Sequence, residues 1–148
     1  MSERTVSQSL SQRHVVSLGP NASIYEAACV MTRAHCGSVL VIDSANTLLG
    51  ILTERDLMTR VLAKAIDPAK TKIADVMTHS PRCVPPEMKV TDAIVIMIER
   101  GFRHLPVVAA DSHRILGVFS VRDALPREVG AAQSLAEFNE QLMDAEGG

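Results

Sequence analysis

The chain has 148 residues, 47% of them hydrophobic and only 3% aromatic, with a formal net charge of −2. That length suits one compact domain or two small repeats around a core built from Val, Ile, Leu, Ala and Met. The lack of a basic excess and of stacking aromatics argues against a dedicated nucleic-acid binder, and no run of about 18 apolar residues is present to cross a membrane.

In chain order, the polar stretch MSERTVSQSLSQRH comes first and lacks the apolar centre of a signal peptide. Within it, TVSQSL from Thr5 reads as a short helical turn, and Val15–Leu18 as a brief extended piece. An apolar-striped helix is expected from Ile24 to His35, started by a Ser-x-x-Glu capping box at Ser23 and Glu26. Two β-branched runs follow, Val39–Ile42 and Leu49–Leu52, joined through SANT as a hairpin. A closing helix is expected after Thr53, ended by the linker KAIDPAKTK with its Asp67-Pro68 punctuation.

The same order then recurs. KIADVM from Lys72 opens it, Arg82–Val84 is extended, and Val90–Arg100 is helical with Gly101 as its stop signal. Leu105–Val108 and Ile115–Phe119 form a second hairpin through DSHR, and a closing helix is expected after Ser120. From Ala131 onward, Leu135, Phe138 and Leu142 make an amphipathic tail helix, expected to dock on the module or on a partner. The chain thus reads as β-α-β-β-α twice, an α/β (α+β) fold with repeats at 5–66 and 72–128, a linker at 67–71 and a tail at 129–148. A layer so small cannot bury both faces alone, so the repeats are expected to pack as a pseudo-two-fold pair.

The repetition is in register. Pro20 and Pro86, Ala27 and Ala93, and Met31 and Met97 are each 66 apart. LLGILTERD from Leu48 and ILGVFSVRD from Ile115 are 67 apart, one residue having entered a connecting turn, where insertions are tolerated.

Both copies carry Gly-x-x-Thr/Ser-x-Arg-Asp, with the hydroxyl residue ending a strand and the Asp one turn into the next helix. Asp56 or Asp123 can there accept both hydroxyls of a ribose, and Thr53 or Ser120 can meet ribose or phosphate. Arg55 and Arg122 supply forked donors for phosphate, beside the free N–H groups of a helix start. Thr53-x-x-Asp56 and Ser120-x-x-Asp123 also have the form of capping boxes, and the two roles are compatible.

GILTERDL, GVFSVRDA, DVMT at Asp75–Thr78 and FRHLPVV at Phe102–Val108 resemble the motifs of tandem CBS domains, named after cystathionine β-synthase. The resemblance runs from about Thr5 to Leu125. It implies a stand-alone CBS pair with two clefts between its repeats, dimerising into a disc-like homodimer. Those clefts would bind AMP, ADP, ATP, S-adenosylmethionine or a related adenosine ligand, with Asp56 and Asp123 on ribose and Thr53 and Ser120 beside them. Arg103 and His104 would face phosphates. Val16, Ser17, Arg82, Cys83 and Val84 would flank the adenine, whose edge backbone groups would read. The matching stretch of repeat one, His35-Cys36-Gly37-Ser38, lacks the Arg-His pair, and Ser38 completes the ligand set there. The clefts are therefore unequal, and tighter binding is expected where Ser120 and Asp123 close the site.

Cys29, Cys36 and Cys83 show no CxxC spacing and read as reduced cytoplasmic thiols. The five histidines make no metal pattern with them, so no metal is expected. Met31, Met77, Met88 and Met97 read as core filler. No hydrolase, Walker or paired-carboxylate motif is present, and Cys36 beside His35 is the only candidate dyad, on positions that face apart. The reading is therefore a non-enzymatic, nucleotide-responsive regulator of an unidentified protein, the alternative being a constitutive interaction module with empty, degenerate clefts.

Overall fold

A computed structural model describes residues 3–11 and 14–147, the last two of these without their side chains. Gly148, the end of the expected tail, lies outside them. Helices α1 (Val6–Ser9), α2 (Ile24–Ala34), α3 (Glu54–Asp56), α4 (Val90–Arg100) and α5 (Pro126–Gly147) alternate with strands β1 (Ser17–Leu18), β2 (Ser38–Ile42), β3 (Leu48–Thr53), β4 (Thr78–His79), β5 (His104–Val108) and β6 (Ile115–Ser120). The fold is mixed α/β.

Local signals set most of these boundaries. Ser23 accepts the Glu26 N–H and starts α2. Gly101, at φ 73°, stops α4 in the left-handed conformation that glycine adopts without strain, while His35 does the same for α2 at φ 53°. In the first hairpin the Asp43 carboxylate accepts the N–H groups of Ala45 and Thr47, and Asn46 takes the left-handed position.

The chain forms two compact units, and these cross the boundaries of the sequence repeats. One joins Met1–Arg13 to Cys83–Gly148; the other is His14–Arg82. In the His14–Arg82 unit the sheet order is β1-β2-β3-β4, with β1 parallel to β2 and the other pairs antiparallel. Its core is Ile24, Ala27, Met31, Val39, Val41, Leu52, Val61, Ile73, Val76 and Met77. The last three belong to the segment that opens the second sequence repeat. That segment is held by backbone bonds from Ile24 to Thr71 and from Ile73 to Ala22, at 3.0 and 2.8 Å. Gly50 lets β4 approach, because a Cβ there would lie 2.5 Å from the Met77 sulfur and 2.7 Å from the Thr78 carbonyl oxygen.

In the other unit β5 pairs with β6, and Val84 bridges to Val107 in parallel. The opening segment of the chain packs here. Val6 is fully buried, its N–H donates to the Met88 carbonyl at 2.7 Å, and the Val90 N–H donates to that of Arg4 at 3.0 Å.

One expectation about the second half needs correction. After Ser120 comes only a 3-10 turn, Val121–Asp123, and the closing helix starts at Pro126. Ala124 is extended (φ −85°, ψ 149°), and the ring of Pro126 disfavours a helical conformation for Leu125 before it. Pro126 then serves as the first helical residue, where its missing N–H costs nothing. Closing helix and tail are consequently one element. The tail's apolar face is also not covered within its unit: Leu135, Phe138 and Leu142 are 39%, 56% and 48% exposed, whereas Ala132 is buried. At 1.5 Å per residue, 11-residue α4 is about half as long as 22-residue α5 and cannot line its whole length; the Asn139 amide donates to Glu99 of α4 at 3.4 Å.

Candidate functional site

Each repeat places its motif at a strand-to-helix turn built in the same way. Ser38 and Thr53 are partners across β2 and β3, and the Glu54 N–H donates to the Gly37 carbonyl at 3.0 Å. His104 and Ser120 are partners across β5 and β6, and the Val121 N–H donates to the Arg103 carbonyl at 3.4 Å. Strand pairing thus brings Ser38 to Thr53 and Asp56, and Arg103 and His104 to Ser120, Arg122 and Asp123. In sequence these groups are 15 or more residues apart.

Both turns are closed by reciprocal caps. The Asp56 N–H donates to Thr53 Oγ1 at 3.3 Å, and the Thr53 N–H donates to Asp56 Oδ2 at 2.9 Å. In the second turn the Arg122 N–H donates to Ser120 Oγ at 3.3 Å, and the Ser120 N–H donates to Asp123 Oδ2 at 3.0 Å. The capping role is therefore real in both copies, and it engages one carboxylate oxygen of each aspartate.

The second oxygens meet different partners. Asp56 is buried, and its Oδ1 faces Arg60 Nε one helical turn on, at 3.6 Å. Asp123 is half-buried, and its Oδ1 accepts the Ser11 hydroxyl at 2.6 Å. Arg4 adds a clamp to the same turn: its Nη2 donates to the Asp123 carbonyl at 3.0 Å and to Glu128 Oε1 at 2.7 Å, while its Nε donates to Glu128 Oε2 at 3.1 Å. Glu128 Oε1 also accepts the Leu125 N–H at 2.7 Å, capping α5. Its hydrogen-bonded pairing with Arg4 holds the Glu128 carboxyl below the ordinary carboxylate range, against the opposing effect of burial, and the Leu125 N–H adds to the lowering. Ser11 and Arg4 had no signal in the sequence, being 112 and 119 residues from Asp123.

The strand residues divide by exposure. Ser17 is exposed, and the ladder runs through its neighbours, with the Leu40 N–H donating to Val16. Val84 is a core residue: its side chain is 1% exposed, its N–H donates to Pro106 and its carbonyl accepts from Val108. Its position corresponds to Leu18, 66 residues earlier, and the position matching Ser17 is Cys83. Ser38 is buried, while Arg55, Arg103 and Arg122 are exposed and His104 is half-buried. Among the described residues no three His, Cys, Asp or Glu side chains are grouped to hold a metal ion, and no helix is long and apolar enough to cross a membrane.

Two copies of one strand-turn-helix motif invite comparison with known folds. A profile of the CBS domain matches residues 6–63 and again 73–129. The chain belongs to the CBS-domain family. CBS pairs are typically regulatory, nucleotide-binding modules. An uncharacterized 17.7 kDa protein of Acidianus ambivalens is 40% identical over 104 residues, which is 70% of this chain and 61% of that protein. In another curated relative, a meiotically up-regulated protein of Schizosaccharomyces pombe, the matched region is 18% of the whole. The crystal structure of a CBS-domain containing protein from Agrobacterium tumefaciens is 31% identical, with a TM-score of 0.72 over 80% of this chain and 94% of that one. A CBS domain protein from Pyrobaculum aerophilum, complexed with AMP, shares the fold at a TM-score of 0.77 and 24% identity, over 90% of this chain and 100% of that one.

Proposed function

We propose that this CBS pair is a regulatory module that binds an adenosine ligand, AMP, ADP, ATP or an S-adenosylmethionine-like molecule, through Asp123 and Asp56. The observation that carries the reading is the hydroxyl on Asp123. With Oδ2 engaged by the cap, Oδ1 accepts an aliphatic O–H at 2.6 Å, the same kind of donor a ribose offers. Ser120 and His104 lie across the ladder from one another, so a ribose on Asp123 would set its phosphates towards Arg122, Arg103 and His104. In the other repeat the same role falls to Asp56, capped with Thr53, with Arg55 next to it in the chain, Ser38 opposite Thr53 in the ladder, and Ser17 on β1, which pairs with β2. The AMP complex of the Pyrobaculum protein supports the ligand class. Regulation requires that the ligand bind two conformations of the module unequally.

Calorimetry with AMP, ADP, ATP, S-adenosylmethionine and NADH tests this. A ligand at 100 times its dissociation constant should also stabilise the fold by about 2.7 kcal/mol in a thermal-shift assay. Asp123→Ala should remove binding at one site and leave cooperative unfolding intact. Silence of all five ligands would sink the reading.

A second reading, a constitutive interaction module or homodimer, is favoured by exposed Leu135, Phe138 and Leu142 on α5. It expects self-association in sedimentation equilibrium that Phe138→Glu abolishes and nucleotides leave unchanged.

A further inference from the structure

We infer that Ser11 is a latch on Asp123: its hydroxyl occupies the carboxylate oxygen that a ribose must take, so a nucleotide binds this turn only by displacing the N-terminal segment. The inference rests on the reading of Asp123 as a ribose acceptor. A ribose held by two hydroxyls needs one lone pair on each carboxylate oxygen; Oδ2 keeps one beside the Ser120 N–H, which comes from the turn itself, whereas on Oδ1 the Ser11 hydroxyl, of the same kind as the ribose donor, stands in its place.

The latch is held in place by the segment that carries it. Val6 is buried, Thr5 and Lys89 form an antiparallel bridge, and Arg4 clamps the Asp123 carbonyl and Glu128. Ser11 follows these anchors by a few residues, so its hydroxyl is delivered to Asp123 at high effective concentration rather than by chance encounter. Ser11 is itself exposed, so its bond is weak enough for a ligand to break.

The other repeat has no such latch. The residue 67 positions after Ser11 is Thr78, which is part of β4 and paired with Ile51. Among the described residues, Asp56 Oδ1 is faced by Arg60 instead of a hydroxyl. The two aspartates therefore differ in their first competitor, a feature of the folded chain that the motif alone does not carry. A latched turn also links binding to the N-terminal segment, because the fraction of unlatched molecules scales the apparent affinity.

The test uses the full chain. AMP, and ATP in a parallel series, are titrated into wild type, Ser11→Ala, Ser11→Ala with Asp123→Ala, and Ser11→Ala with Asp56→Ala. Ser11→Ala should tighten binding about three- to tenfold, the range for net loss of one ordinary, solvent-exposed hydrogen bond. The gain should persist in the Asp56→Ala background and vanish in the Asp123→Ala background. Hydrogen exchange of the amides in residues 3–11 should rise when nucleotide is added to wild type. Binding that Ser11→Ala leaves unchanged or weakens would overturn the latch and leave the nucleotide reading standing. Silence of both nucleotides with wild type and Ser11→Ala alike would overturn the latch, and silence of ADP, S-adenosylmethionine and NADH as well would overturn the nucleotide reading with it.

Discussion

At position 35 the chain accepts a strain that its second repeat avoids. His35 and Gly101 both end a helix in the left-handed conformation, at φ 53° and 73°, and only glycine does so without a Cβ penalty. His35 is exposed, so replacing it removes no packing. His35→Gly should raise the unfolding free energy by about 1 kcal/mol, seen as a higher urea midpoint at unchanged slope. Gly50 has the opposite sensitivity. Gly50→Ala would drive its methyl into Met77 and the Thr78 carbonyl, and one of these is backbone that cannot rotate away. A loss of about 1–3 kcal/mol in the same assay is expected, and Met77→Ala should restore only part of it. The glycine of the Gly-x-x-Thr-x-Arg-Asp motif is thus needed for strand approach, a role that spacing does not disclose. The caps at Thr53 and Ser120 were legible because they depend on residues three apart; Ser11 and Arg4 were not, because long-range side-chain pairs leave no periodic trace.

Among the elements, α2, α4 and the four hairpin strands lie within a residue of where periodicity and capping put them, since those signals are local. The second closing helix does not, because Ser120 and Asp123 close a 3-10 turn and Pro126 restarts the chain. What holds that restart is Arg4 on Glu128. The native state depresses the Glu128 pKa, so the unfolded chain binds its proton more readily. The stabilisation is therefore full above the ordinary glutamate range of about pH 4 to 5 and is lost as pH falls through the lower native value. Melting temperatures measured from neutral to acidic pH should fall less for Glu128→Gln than for wild type, with Glu128→Gln the less stable at neutral pH. A steeper fall in the variant would remove Glu128 as the cause.

For the molecule as a whole, the repeats in the sequence and the compact units are different partitions of one chain. The unit His14–Arg82 takes in Ile73, Val76 and Met77, which are 0%, 8% and 6% exposed. Burial of each contributes about 1.5–3 kcal/mol, which together rivals the roughly 0.05–0.15 kcal/mol per residue that holds a small domain folded. A fragment spanning residues 14–82 should accordingly show a cooperative thermal transition by circular dichroism. A fragment spanning 5–66 lacks those three side chains and leaves Val6 without its cover, so its transition should be weaker and lower. Equal melting of the two would contradict the assignment.

By itself, the sequence determined that the chain is two copies of one strand-helix-hairpin motif, that each copy carries an aspartate one turn beyond a hydroxyl residue, and that the core is aliphatic. These properties rest on periods of two and 3.6 residues and on contacts between near neighbours, which the order of residues specifies directly. It took the folded chain to settle that each opening segment packs in the unit of the other repeat, that Val84 is core while Ser17 is exposed, and that Ser11 sits on Asp123. Those outcomes depend on which distant surfaces bury the most apolar area and satisfy the most polar groups at once. That competition is settled by the folded chain as a whole.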